Sequence, residues 1–314
     1  MGFPWGVWFE PTQPVARLVS LARRAERLGA SVCFVADEGT ERDVYVAMTA
    51  ILLGTETMTV APAITNPFSR HPVTTAAAIA TLAELAPGRV WNGLGVGGSR
   101  VLTPLGLEPH RPYTALAEAV TVTSTLLRGT QSGPASIPWA PGAVPLAIAG
   151  RGPRVQQLAA EHADWVVFSA KPRLHLAEEA ARVRAQGKAH IAWSAYIAWS
   201  ETERSRALRH FSYMAVDAPP DIRSAAGLDD ERLELVRSAM LAGRMDDAAR
   251  HLPAAMVDQY GVAGTPTECA AAIAEQAANF DLFMLPMNDE ATCEDHIDAS
   301  AGILAEAQRI FLAG

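Results

Sequence analysis

Two strand-like apolar runs around one helix-like run constrain this chain more than any other feature. The runs are MTVAPAI at 58–64 and VWNGLGV at 90–96, and the helical stretch covers about 71–85. A strand–helix–strand unit makes its two strands parallel, so both exits face the same way. Such exits are where α/β folds place their chemistry. Here one exit continues as Thr65-Asn66-Pro67 and the other as Gly97-Gly98-Ser99.

The alternation extends along all 314 residues. The patterning predicts strands at 5–9, 31–36, 144–149, 165–168, 191–199 and 280–285, and helices at 14–28, 42–53, 112–127, 153–161, 174–185 and 297–311. Gly29 closes the first helix. A late helix opens at Gly264-Thr265-Pro266-Thr267-Glu268, with Thr265 as N-cap, Pro266 at the first helical position and Glu268 placed to complete a capping box. Eight strands nearly all separated by helices fit a (β/α)8 TIM barrel or a doubly wound open sheet, and eight units in this length favour the barrel. Residues 200–263 interrupt the rhythm with mostly helical, polar sequence. We read them as an insertion between the seventh and eighth strands, within one domain spanning 1–314.

Charge and composition narrow the function classes. The net charge is −8 and no basic cluster exceeds Arg23-Arg24, which argues against nucleic acid as a partner. No run approaches the roughly 18 apolar residues of a membrane span. The opening MGFPWGVWFEP shows no signal peptide. The three cysteines, Cys33, Cys269 and Cys293, are odd in number and far apart, which fits a reducing cytoplasm. A cytoplasmic enzyme acting on a small molecule is the resulting expectation.

Four motifs carry candidate chemistry. Gly93-Leu94-Gly95-Val96-Gly97-Gly98 matches the dinucleotide fingerprint letter by letter, but Pro104 and a loop through His110 follow where a Rossmann unit needs a helix. These glycines read instead as a close backbone approach to a flat ligand. Ala149-Gly150-Arg151-Gly152-Pro153-Arg154 joins a strand end to a helix start, either a phosphate cradle or a plain tight turn. Asp37-Glu38 sits at the mouth of the second strand, as acid/base machinery or as a helix-start acid pair, and Glu10 follows the first strand toward the same mouth. Asp289, Glu290, Cys293, Glu294, Asp295 and His296 look like a metal cluster, but their spacing matches no tetrahedral ligand set, so no metal is expected.

Taken together, the stretches TETMTVAPAITNPFSRHPVTTAAAIATLAEL, GRVWNGLGVGGS, VPLAIAGRGPRVQQLAAEHAD and GVAGTPTE resemble the bacterial luciferase-like monooxygenase superfamily. Within it the chain most resembles the branch that uses the deazaflavin coenzyme F420, typified by methylenetetrahydromethanopterin reductase. The resemblance implies a TIM barrel with the coenzyme at the C-terminal mouth, and a homodimer. It implies a non-prolyl cis peptide at Ala63–Ile64 in a bulge behind the deazaflavin ring, with Thr65 and Asn66 beside the ring and Gly97 and Gly98 flanking it. Asp37 matches an acid at the second strand exit, and the loop Ala149, Gly150, Arg151, Gly152, Pro153 would hold the coenzyme phosphate. Where such reductases carry a glutamate in the first strand this chain has Trp8, and where relatives have histidine it has Glu38. The expected function is hydride transfer between reduced coenzyme F420 and a small C=C or C=N acceptor, with Glu38 or Glu10 as proton donor and Trp8 stacking on a planar substrate. An FMN-dependent monooxygenase, a flavin-independent folate reductase using nicotinamide, and a non-catalytic binding protein are the alternatives.

Overall fold

The computed structural model describes residues 2–169, 171–216, 218–287 and 293–314, with side chains at all of these except 99, 100 and 213. Among them the chain forms β1 (Trp5–Phe9), β2 (Val32–Val35), β3 (Thr59–Pro62), β4 (Asn92–Gly95), β5 (Leu146–Ala149), β6 (Trp165–Phe168), β7 (His190–Ser194), β8 (Tyr196–Ala198), β9 (Gly261–Ala263) and β10 (Leu282–Met287). Eight of these make one parallel sheet in the order β3-β2-β1-β10-β7-β6-β5-β4. Parallel bridges Val60–Val90 and Thr65–Leu94 join β3 to the β4 segment and close the sheet on itself. The expected TIM barrel is the observed architecture.

Alternation along the strands sorts the core into two layers. Val7, Phe9, Cys33, Val35, Leu94 and Ile148 belong to the large cluster shared with the surrounding helices. Phe34, Ala61, Ala147, Val167, Ala192 and Met284 belong to a separate cluster inside the barrel. Because both faces are buried, strands such as VCFV read as unbroken apolar runs. The interior is graded along its axis. At the N-terminal end Trp91 stacks on Trp165 with ring centroids 4.8 Å apart, and Phe34 meets Trp91 edge-on at 5.9 Å. These rings plug that end, and each such pair adds ~0.5–1.5 kcal/mol beyond burial. Toward the C-terminal end the inward positions shrink to Gly95, Ala63 and Ala149, which leaves the mouth open to a ligand.

Two boundaries differ from the sequence reading. The predicted strand 191–199 is two elements, because the chain breaks at Ala195 between β7 and β8. β8 leaves the barrel to pair in parallel with β9, Tyr196 opposite Gly261 and Ala198 opposite Ala263. The run IAWSAYIAW contains no Gly, Pro, Asn or Asp, and Ser194 alone does not reveal the break. The three-residue β9 is too short to show a period and was missed inside a segment expected to lack strands. The rest of that segment is helical as expected, with helices Glu201–Val216, Pro220–Ala226, Asp230–Leu241, Met245–Arg250 and Ala255–Tyr260 around their own core of Phe211, Ile222, Val236 and Met256. The final helix also starts earlier, at Cys293, and its acidic first turn of Glu294 and Asp295 faces the positive end of the helix dipole.

Candidate active site at the barrel mouth

Backbone hydrogen bonds continue past the strand ends and tie four exits together. Ala36 donates to the Phe9 carbonyl at 2.9 Å, Ala63 to Val35 at 2.7 Å, Thr65 to Gly93 at 3.1 Å and Gly95 to Thr65 at 3.0 Å. From the Val60–Val90 bridge to the Thr65–Leu94 bridge, the β3 side advances one residue more than the β4 side. The extra residue makes a bulge, and the Ala63–Ile64 peptide within it is cis, as the resemblance implied. The bulge leans onto β4. A Cβ at Gly93 would lie 1.8 Å from the Pro62 carbonyl oxygen, and one at Gly95 would lie 1.7 Å from Cδ1 of Ile64. Two of the fingerprint glycines therefore exist to accept the bulge, and Gly97, at φ +73°, turns the chain over the Asn66 side chain. A short helix, Ser99–Leu102, follows, which the loop expectation missed.

Asp37 and Thr65 are brought together. The Thr65 hydroxyl donates to Oδ2 of Asp37 at 2.7 Å, joining the exits of β2 and β3. Burial pushes the Asp37 carboxyl above the ordinary carboxylate range; Thr65 and Arg70 pull it back, while the charge of Asp43 adds to the rise. Beside this pair lies Tyr45, buried on the helix Val44–Gly54 with the Arg70 guanidinium 4.3 Å from its ring centroid. Burial pushes its phenol up to about 12. Glu38 is half-buried next to Asp37, and Glu10 is half-buried two residues beyond Trp8, on the same face of the strand.

Trp8 lies inside the barrel, opposite Phe34 of β2 and Pro286 of β10. Its indole Nε1 is buried without a hydrogen-bond partner among the described residues. Leaving such a donor unpaired costs ~1–3 kcal/mol. Asn66, by contrast, is fully engaged. Its Oδ1 accepts from the backbone of Phe68 and Ser69 at 3.0 and 2.9 Å, and its Nδ2 donates to the Ser69 hydroxyl at 2.9 Å. Its side chain holds the turn after the bulge, which shapes the floor of the site.

Across the mouth, Ala149 is buried at the end of β5, Gly150 is half-buried, and Arg151, Gly152 and Pro153 are exposed. Gly152 is the extended N-cap of the helix Pro153–His162, with Pro153 at its first position, so the first-turn N–H groups face the loop. Gly98 is exposed, with open space where a Cβ would stand. The sequence reading missed Lys171, a buried ammonium just past β6. Burial pushes it below the usual lysine range; Glu179 at 3.3 Å opposes that, and the charges of Arg182 and Arg151 add to it. A signal was present, since this is one of only two lysines among 26 basic residues.

The acidic run before the last helix resolves into separate partnerships. Asp289 and Glu290 lie outside the described residues. Glu294 pairs with Arg17. His296 Nδ1 lies 2.9 Å from Oε2 of Glu203, which also accepts from the Tyr196 hydroxyl at 2.8 Å and, through Oε1, pairs with Arg206. Burial alone would raise Glu203, but the hydrogen bonds from His296 and Tyr196 bring it down to about 2. Among the described residues no group of three His, Cys, Asp or Glu is arranged to hold a metal ion.

Comparison with known proteins gives a consistent picture. The chain is 28% identical over 288 residues to 5,10-methylenetetrahydromethanopterin reductase of Archaeoglobus fulgidus, covering 84% of this chain and 87% of that one. The enzyme of the same name from Methanolobus tindarius is 25% identical over 292 residues, covering 86% and 90%. In structure the chain matches the coenzyme F420-dependent tetrahydromethanopterin reductase of Methanopyrus kandleri with TM-score 0.83 at 19% identity, covering 97% and 99% of the two chains. It also matches an F420-dependent secondary alcohol dehydrogenase with TM-score 0.70, again at 19% identity and covering 97% and 99%. The profile of the luciferase-like monooxygenase family matches residues 4–280, and to that family this chain belongs.

Proposed function

We propose that this protein is a coenzyme F420-dependent oxidoreductase that moves a hydride between the reduced deazaflavin and a small organic acceptor with a C=C or C=N bond. The observation that carries the reading is the bulge pressed onto Gly93 and Gly95, beside an Asp37 carboxyl held by Thr65. It makes a rigid, nearly side-chain-free wall next to a half-buried acid, which suits a flat redox ring and a proton transfer at its edge. The two F420-dependent enzymes whose structures match over 97% of this chain support the same cofactor class.

When bound, the deazaflavin supplies the hydride from C5. The residues of this chain do the rest. Ala63 and Ile64 back the ring, and Gly97 and Gly98 leave room at its edge. The Gly150–Pro153 loop and the helix start behind it receive the phosphate through backbone N–H groups, with Arg151 and Lys171 adding positive charge. Asp37 is the acid we assign to proton transfer, because burial favours its protonated form at the place where the β2 and β3 exits meet. Glu38 and Glu10 stand at the same mouth and serve substrate orientation.

The assignment extends to a cytoplasmic homodimer. The helix Val44–Gly54 carries no charge and exposes Val46 and Leu53, and the next barrel helix exposes Leu85, an outward apolar face suited to a second copy. The three cysteines are buried, in keeping with a reducing compartment. No helix among the described residues is long and apolar enough to cross a membrane.

Titration of the purified protein with oxidised coenzyme F420 and separately with FMN, followed by fluorescence quenching, tests the reading. Micromolar F420 binding with weak FMN binding is expected. Tight FMN binding would replace the proposal with a flavin monooxygenase, and binding of neither would remove it.

A further inference from the structure

Trp8 offers the mouth a hydrogen-bond donor that the fold leaves unused. Its side chain shares the barrel interior with Ala63, Ile64 and Ala149, none of which carries an acceptor side chain. Its ladder partners on either side, Phe34 and Pro286, carry none either. The buried Nε1 has no hydrogen-bond partner among the described residues. An indole N–H donates and never accepts. A ligand group that satisfies it must therefore be an acceptor.

We infer that Trp8 is a substrate-binding residue that selects planar α,β-unsaturated carbonyl compounds, its indole N–H donating to the carbonyl oxygen. The inference rests on the oxidoreductase reading of the mouth and sharpens it to a substrate class. Reduction of such a compound breaks the C=C π bond and forms two C–H bonds. Hydride from the reduced deazaflavin, oxidised by two electrons, goes to the β carbon, and a proton from Asp37 goes to the α carbon. Asp37 is reprotonated from water, to which the oxidised coenzyme returns one proton. The π pair passes through the carbonyl oxygen on the way, so a fixed N–H at that oxygen binds the charge as it develops. An acceptor without an oxygen in this position leaves the donor unpaired and is discriminated against.

A matched pair of probes tests this without turnover. Coumarin is a planar unsaturated lactone, and 2H-chromene has the same rings with CH2 in place of the carbonyl. The ¹⁵N-labelled full chain carries seven indole N–H groups, and the Trp8 resonance is the one lost in Trp8→Phe. Coumarin is expected to move that proton downfield, and 2H-chromene to leave it in place. Trp8→Phe keeps an aromatic plane and is expected to weaken coumarin binding about tenfold, or ~1.4 kcal/mol, with chromene binding unchanged. Equal weakening of both probes, or a Trp8 resonance indifferent to coumarin, would overturn the inference. Coenzyme F420 is titrated into the same wild-type samples. If F420 fails to bind while the Trp8 resonance responds, the cofactor reading falls and the carbonyl subsite stands; the converse removes only the subsite.

Discussion

Glu203, buried, and Asp37, half-buried, are carboxylates driven in opposite directions. Glu203, which ties the helical insertion to the last barrel helix, is held near 2 by His296 and Tyr196. Asp37, at the barrel mouth, has one side-chain donor, Thr65, and rises above its ordinary range. The chemistry of the group is the same, and the number of donors aimed at it decides the sign. A carboxylate surrounded by donors is finished as a structural element. At Asp37 fewer donors oppose burial and the carboxyl rises, and the Trp8 N–H is left without a partner among the described residues.

The largest test of this contrast is Asp37→Asn. Once turnover with F420 and an unsaturated acceptor is established, we expect this variant to lower kcat about 10²–10⁴-fold while F420 quenching titrations change little. Unaltered kcat would return the proton to Glu38 or Glu10. The counterpart is Glu203→Gln, which leaves His296 and Arg206 without their acceptor charge. Urea unfolding should show a loss of about 3–5 kcal/mol, with kcat under native conditions unchanged. A large kcat effect with normal stability would mean that the insertion network serves the chemistry.

The pH dependences run in opposite senses. Glu203 is depressed from 4.5 to about 2, so its contribution to stability is fully present above pH 4.5 and fades as pH falls toward 2. Asp37 is raised from 3.8. The stability tied to its protonated form is present below that value and is lost as pH rises through the folded pKa, and turnover should decline in the same direction. The profile of Asp37→Asn should lack that limb. Smaller again is Gly95→Ala, which forces Ile64 aside at a predicted cost of about 1–3 kcal/mol, with F420 binding weakened in parallel. Smallest is Thr265→Ala. Thr265 and Glu268 do form the expected capping box, and its loss should cost ~1 kcal/mol in thermal unfolding without touching F420 affinity.

Much of the fold was legible because each barrel strand and helix carries its own period. The apolar run 58–64, the glycines of 93–98 and the cap at Thr265 are local signals, read within a few residues of where they act. The β7–β8 break was not legible, because Ala195 sits in a largely apolar run without Gly, Pro, Asn or Asp and only the partner strand β9, more than sixty residues later, makes the division. Within the site, Asp37 and Thr65 could each be nominated from their strand exits, but not as a hydrogen-bonded pair. Tyr45 and Lys171 carried no motif at all.

The sequence by itself determined the parallel barrel and the interruption after its seventh strand. Those follow from patterning and turn residues, which act over short range. Only the tertiary structure decided that two glycines of an apparent nucleotide fingerprint receive a bulge from the neighbouring strand. It likewise decided that Asn66 is spent on its own turn, that burial raises Asp37 while partners lower Glu203, and that the indole Nε1 of Trp8 is left without a hydrogen-bond partner among the described residues. Protonation and hydrogen-bond satisfaction depend on what stands within a few ångströms in space, and at this mouth those neighbours come from strands remote in the chain.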